Sequence, residues 1–212
     1  MTTATFDVVR AGVPLRAARA AAVLIHGRGA TAEGMLALGG ALGAKDVALI
    51  APQAPARSWY PYSFLAPFEE NEPHLSQALA IVGETVDGLA GEGLGPERVV
   101  LIGFSQGACL ALEYAARTPR RYGGVAGLSG GLIGPPGTPR DYVGSLAGTP
   151  VFLGCSDVDA HIPETRVHES ADALTALGGD VTTRIYPGMA HTIVDDEIAH
   201  VQRILAEIPD RT

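Results

Sequence analysis

Two cysteines in a chain of 212 residues cannot build a disulfide framework, and their spacing suits no metal. Cys109 and Cys155 are expected to be buried core thiols in a reducing, cytoplasmic setting. Positive charge is also scarce. The net charge of −8 argues against nucleic acid or an anionic membrane surface as a main partner. No apolar run approaches the length of a membrane span, so stable membrane insertion is not expected. Met1 to Asp7 lacks a charged n-region and a long apolar h-region, and no signal peptide is expected. Internal repeats and low-complexity linkers are absent. Charged residues make up only 18% against 47% hydrophobic, which excludes a disordered chain. The length suits one domain, residues 1–212, with a sizeable core. A homodimer is left open.

What is present is an alternation of short apolar runs with helical stretches. Strands are predicted at Ala20–Ile25, Val47–Ala51, Arg98–Ile102, Gly124–Leu128, Thr149–Gly154 and Val181–Tyr186. Helices are predicted at Thr31–Leu42, Leu75–Gly91, Gln106–Thr118, Pro163–Leu177 and Asp195–Ile208. Strands spaced by helices imply an α/β fold with a mostly parallel central sheet and helices on both faces. Thr5–Val9 reads as a further edge strand, in antiparallel orientation. Gly130–Pro139, the most Gly/Pro-rich stretch, reads as a surface loop.

Ligands of such sheets bind beyond the carboxyl ends of the strands. There stands Gly103-Phe104-Ser105-Gln106-Gly107, between an apolar strand and a helix. Strand, G-x-S-x-G, helix is the context of a nucleophile elbow. The turn lifts the serine hydroxyl towards free backbone N–H groups at a helix N-terminus, where an oxyanion can be held. A serine needs a base and the base needs an orienting acid. His191, in the loop Pro187-Gly188-Met189-Ala190-His191 after a late strand, is the candidate base. Asp157 and Asp159 both follow the fifth strand, and the residues alone leave them in competition as the acid. His200 and His168 lie inside helical patterns and suit packing or surface roles. The backbone N–H of Gln106, next after the nucleophile, is one expected oxyanion donor, and the loop after the first strand supplies the other.

Five of the chain's twelve aromatics, Trp59, Tyr60, Tyr62, Phe64 and Phe68, crowd into ten residues. Their segment has no helix or strand period and suits the wall of a substrate cleft. Trp59, Tyr62 and Phe64 are candidate substrate-binding residues. His74 and His161, close to the aromatic and acid loops, join them.

The residues Leu24-Ile25-His26-Gly27-Arg28-Gly29-Ala30, Ala51-Pro52-Gln53-Ala54-Pro55, the Gly-Phe-Ser-Gln-Gly elbow and Gly188-Met189-Ala190-His191 carry a resemblance that spans nearly the whole chain. The chain resembles the phospholipase/carboxylesterase group of α/β-hydrolases, relatives of acyl-protein thioesterase. That resemblance implies an α/β-hydrolase fold without a large cap domain, and a serine esterase acting on carboxylic esters or thioesters. It implies Asp159, four residues before Pro163, as the acid beside Ser105 and His191. It places the second oxyanion donor at the backbone of Arg28, where the family often has leucine. It needs neither metal nor organic cofactor, and its partner is a small-molecule ester.

Rival readings attach to particular residues. Gly27-Arg28-Gly29-Ala30-Thr31-Ala32 fits a dinucleotide-binding fingerprint, but the second strand ends Ile50-Ala51-Pro52-Gln53 without the acid that would hold a ribose. Asp157, Asp159 and His161 share metal-like spacing with no further ligand cluster to support it. A complete Ser-Asp-His set also fits a very slow or non-catalytic ligand receptor of the same fold, or a cofactor-free perhydrolase.

Overall fold

The computed structural model describes residues 6–43 and 45–210. Seven strands form one sheet: β1 (Val8–Gly12), β2 (Ala20–Ile25), β3 (Val47–Pro52), β4 (Val99–Phe104), β5 (Gly124–Leu128), β6 (Pro150–Ser156) and β7 (Asp180–Tyr186). Their order is β1-β3-β2-β4-β5-β6-β7. Only β1 runs antiparallel, pairing Val8 with Pro52 and Gly12 with Ala48 of β3. The helices are α1 (Ala32–Ala41), α2 (Phe68–Asn71), α3 (His74–Gly91), α4 (Gln106–Arg117), α5 (Glu164–Ala176) and α6 (Asp195–Glu207).

The central strands are apolar along their whole length because both faces are covered. Alternate residues serve alternate layers. Ala21, Val23 and Ile25 of β2 face a core shared with α3, α4 and α5. Ala20, Ala22 and Leu24 face a second core shared with α1 and α6. Helix α4 is buried from Gln106 to Ala116, since it lies between the sheet and α3. The described residues form no separate cap layer over the carboxyl edge of the sheet.

Most element boundaries differ from the sequence reading by one or two residues, each for a local reason. Thr31 is not the first helical residue but the cap of α1, its Oγ1 accepting the N–H of Gly34 at 3.1 Å. Pro163 likewise lies just outside α5, with no side-chain cap, its carbonyl accepting the N–H of Arg166 at 2.9 Å. Arg98 ends a single 3-10 turn instead of opening β4. Thr149 precedes β6 and uses its hydroxyl to hold Tyr122 N–H at 2.9 Å. The edge strand begins at Val8, later than predicted, and Thr5 lies outside the described residues.

The reading of Gly130–Pro139 as a surface loop is corrected for its first half. Gly130 to Gly134 are buried. Buried irregular backbone needs partners, and buried polar and charged side chains supply them. Glu113 accepts the N–H of Ile133 at 2.9 Å, Ser170 accepts that of Leu132 at 2.8 Å, and Arg166 donates to the carbonyls of Leu132 and Gly134 at 2.8 and 2.6 Å.

Candidate active site

The carboxyl edge of the sheet holds a cavity of about 640 Å³ lined by Ser105, Gln106, Arg28, His161 and His191, among others. Ser105 reaches it through a strained backbone, at φ 55° and ψ −119°. A non-glycine residue in that region costs roughly 1–3 kcal/mol and persists only where its surroundings dictate it. Glycines supply those surroundings. A Cβ on Gly107 would overlap the carbonyl oxygens of Ile25 and His26, and one on Gly103 would overlap the Gly107 carbonyl. Strand β2, strand β4 and helix α4 therefore meet at a separation only glycine permits. The turn is tied to the sheet by Ser105 N–H donating to Leu128 O at 3.0 Å.

Asp159 and His191 meet across 32 positions of sequence. His191 Nδ1 lies 2.7 Å from Asp159 Oδ2. The other carboxylate oxygen accepts the N–H groups of His161 and Ile162 at 2.8 and 3.1 Å. The Cys155 thiol points at Oδ2 from 3.8 Å. Burial acts to raise the Asp159 pKa, but the His191 bond and the two backbone donors outweigh it, and the net shift is downward. The group is thus a carboxylate and accepts only, so His191 donates from Nδ1 and keeps Nε2 free to accept. The His191 ring packs 5.0 Å from Phe104 and 4.9 Å from His161, centroid to centroid. Asp157 goes elsewhere. Its Oδ1 accepts the N–H of Gly188 at 2.8 Å and so holds the histidine loop by its backbone.

The loop after β2 is braced from below by His26, which is buried. Burial lowers its pKa, so it is neutral. Its Nδ1 lies 2.8 Å from Gly27 O, and its Nε2 accepts the N–H of Ala54 at 3.1 Å. Gln53 adds a link, accepting Ala32 N–H at 2.9 Å while its amide nitrogen sits 3.2 Å from His26 Nε2. In the sequence His26 and Gln53 stand only as motif residues, and their bracing role is not visible there. It depends on β2 and β3 lying side by side.

The aromatic segment divides. Tyr62 and Phe64 line the cavity, as does Tyr60. Trp59 does not, which corrects its reading as a substrate-binding residue. It is 2% exposed, and its indole N–H donates to His26 O at 2.8 Å. A buried indole must place its one donor, and the His26 carbonyl accepts it. His74 is also corrected. It opens α3 and lines, with Trp59, a separate cavity of about 260 Å³ behind the segment. Phe68 belongs to the short helix α2, which the segment's lack of period concealed. Cys109, read as a core thiol, is buried yet reaches the cavity floor; burial pushes its pKa up to about 12. Among the described residues, no helix is long and apolar enough to cross a membrane.

Known proteins share the fold of this chain. The phospholipase/carboxylesterase family profile matches residues 9–208. A crystal structure of a phospholipase/carboxylesterase from Dyadobacter fermentans is 42% identical, with a TM-score of 0.92 over 98% of this chain and 99% of that one. The crystal structure of esterase PE8 is 26% identical, with a TM-score of 0.81 over 96% of this chain and 99% of that one. Acyl-protein thioesterase 1 of Gibberella zeae is 37% identical over 116 residues, 53% of this chain and 49% of the relative. The match thus spans about half the length of that curated relative. With an α/β-hydrolase sheet, a serine elbow at its carboxyl edge and this match over nearly its full length, the chain belongs to the phospholipase/carboxylesterase family.

Proposed function

We propose that this protein is a serine hydrolase that cleaves carboxylic esters, thioesters included, through an acyl-enzyme. The observation that carries the reading is the 2.7 Å contact of His191 Nδ1 with Asp159, whose histidine lines the same cavity as the strained Ser105. Ser105 Oγ attacks the carbonyl carbon and gives its proton to His191 Nε2. Asp159 fixes the tautomer and stabilises the imidazolium. The backbone N–H groups of Gln106 and Arg28 hold the oxyanion. As the tetrahedral intermediate collapses, His191 returns the proton to the departing alcohol or thiol. Water then repeats the sequence on the acyl-serine.

No step calls for a metal or an organic cofactor. The open cavity, without a cap layer above it, favours short to medium acyl chains and aryl esters over long-chain triglycerides. Residues 1–212 act as one domain in this reading, and the free buried thiols suit a cytoplasmic setting. The test is labelling by a fluorophosphonate. Modification of Ser105 alone, with matching loss of ester turnover, supports the proposal. Undiminished turnover in Ser105→Ala overturns it.

A further inference from the structure

Arg28 and Gln106 flank the cavity, and their side chains reach the same short segment. Arg28 Nη1 donates to Ser58 Oγ at 3.0 Å and to Pro61 O at 2.8 Å, and Nη2 donates to Tyr62 O at 2.6 Å. Its guanidinium carbon lies 6.0 Å from the Tyr60 ring centroid. The Gln106 amide accepts Trp59 N–H at 3.0 Å and donates to Tyr60 O at 2.8 Å. Every residue from Ser58 to Tyr62 is thus held by one of two side chains. Just before this stretch, Ala56 and Arg57 sit at φ 49° and 60°, consecutive left-handed positions in residues other than glycine. Such backbone does not hold its shape unaided.

We propose that the Arg28 guanidinium is a positioning residue, which clamps residues 58–62, fixes Tyr60–Tyr62 as one wall of the cavity and thereby sets selectivity for flat aryl groups. The proposal rests on the reading of Ser105 as the nucleophile of an esterase. Tyr60 and Tyr62 are the lining residues that the clamp holds. Arginine suits the task because a planar fork reaches two carbonyls and a hydroxyl at once. The guanidinium is spent on this wall, which leaves it poorly placed to recognise a substrate anion.

The experiment compares wild type, Arg28→Met and Arg28→Lys. Trp59 is the only tryptophan, so fluorescence reports on the segment without any turnover. In Arg28→Met, acrylamide quenching of Trp59 should rise about threefold, with Arg28→Lys between it and wild type. The kcat/KM ratio of a phenyl ester to the ethyl ester of the same acid should fall about tenfold, through KM more than kcat, with partial rescue by lysine. An unchanged ratio with unchanged quenching overturns the clamp. So does a loss confined to carboxylate-bearing esters, which would make the guanidinium an anion site. If Arg28→Met melts below assay temperature, Arg28→Lys alone must show the intermediate quenching and ratio. Quenching is also read in the Ser105→Ala background, so failure of the esterase reading remains distinguishable from failure of the clamp.

Discussion

Residues 104–106 and residues 60–62 line the same cavity, yet opposite means hold the two segments they belong to. The elbow is kept by what it lacks. Gly103 and Gly107 let three backbones close on one another, and the strained Ser105 and both glycines lie within five residues of sequence. The aromatic wall is kept by what reaches it from afar. Arg28 and Gln106 lie 30 to 47 positions from their partners in it. Asn71 closes the far end, accepting Tyr62 N–H and donating to Ser63 O, both at 2.9 Å. A short motif carries the residues that the first kind of structure requires. The second exists only once distant segments have met.

Four experiments break or sharpen this contrast. The largest effect belongs to the elbow. Ser105→Ala should keep the fold and lower kcat by about four to six orders of magnitude; circular dichroism beside ester kinetics checks both. Next comes the acid. Asp159→Asn should lower kcat by about 10⁴ by upsetting the histidine tautomer. Asp157→Asn keeps an acceptor for Gly188 N–H and should cost far less. A reversed order in kcat would exchange their roles.

Stability separates the regions themselves. Gly107→Ala should cost about 3 kcal/mol or more, because its Cβ meets backbone that cannot yield. Asn71→Ala should cost about 1–3 kcal/mol, through two unpaired backbone groups. Urea melts give both values. The elbow change should lower activity on every ester alike, and the wall change should alter the preference between aryl and alkyl esters. Equal effects on selectivity would dissolve the distinction.

The smallest effect on activity comes from α6, outside both regions. Glu197 is fully buried, with Oε1 unpartnered and Oε2 accepting Val194 N–H at 3.0 Å. Burial, against that bond and with help from Asp196, raises its pKa from 4.5 to about 7. Between those values the native state keeps a proton that the unfolded chain has released, so stability falls as pH rises through that window. At about 1.4 kcal/mol per unit, the span is at most about 3.5 kcal/mol. Glu197→Gln should flatten the dependence of melting temperature on pH between pH 5 and 7, and leave ester selectivity alone. An unaltered slope would mean that another group titrates there.

The strand–helix alternation, the serine elbow and the late His191 were legible because each is written in a short run of residues. Period-two and helical patterns follow from local geometry, and the G-x-S-x-G turn is its own steric argument. The residues alone leave Asp157 and Asp159 in competition, since both lie in one loop, and only the family resemblance favours Asp159. Only the fold brings His191 to one and Gly188 to the other. The burial of Gly130–Gly134 escaped a compositional reading for the same reason. A glycine-rich stretch reads as surface until a buried Glu113 and Arg166 are seen to satisfy its backbone.

By itself, then, the sequence determined the layered α/β sheet, its all-apolar central strands and the elbow, because these depend on residues within a few positions of one another. Tertiary structure alone decided which aromatic faces the cavity. Trp59 turned inward because its indole donor found the His26 carbonyl, while Tyr60 and Tyr62 were held at the cavity by backbone bonds to Arg28 and Gln106. An acceptor for a buried donor is a fact of three-dimensional proximity, and no pattern along the chain encodes it.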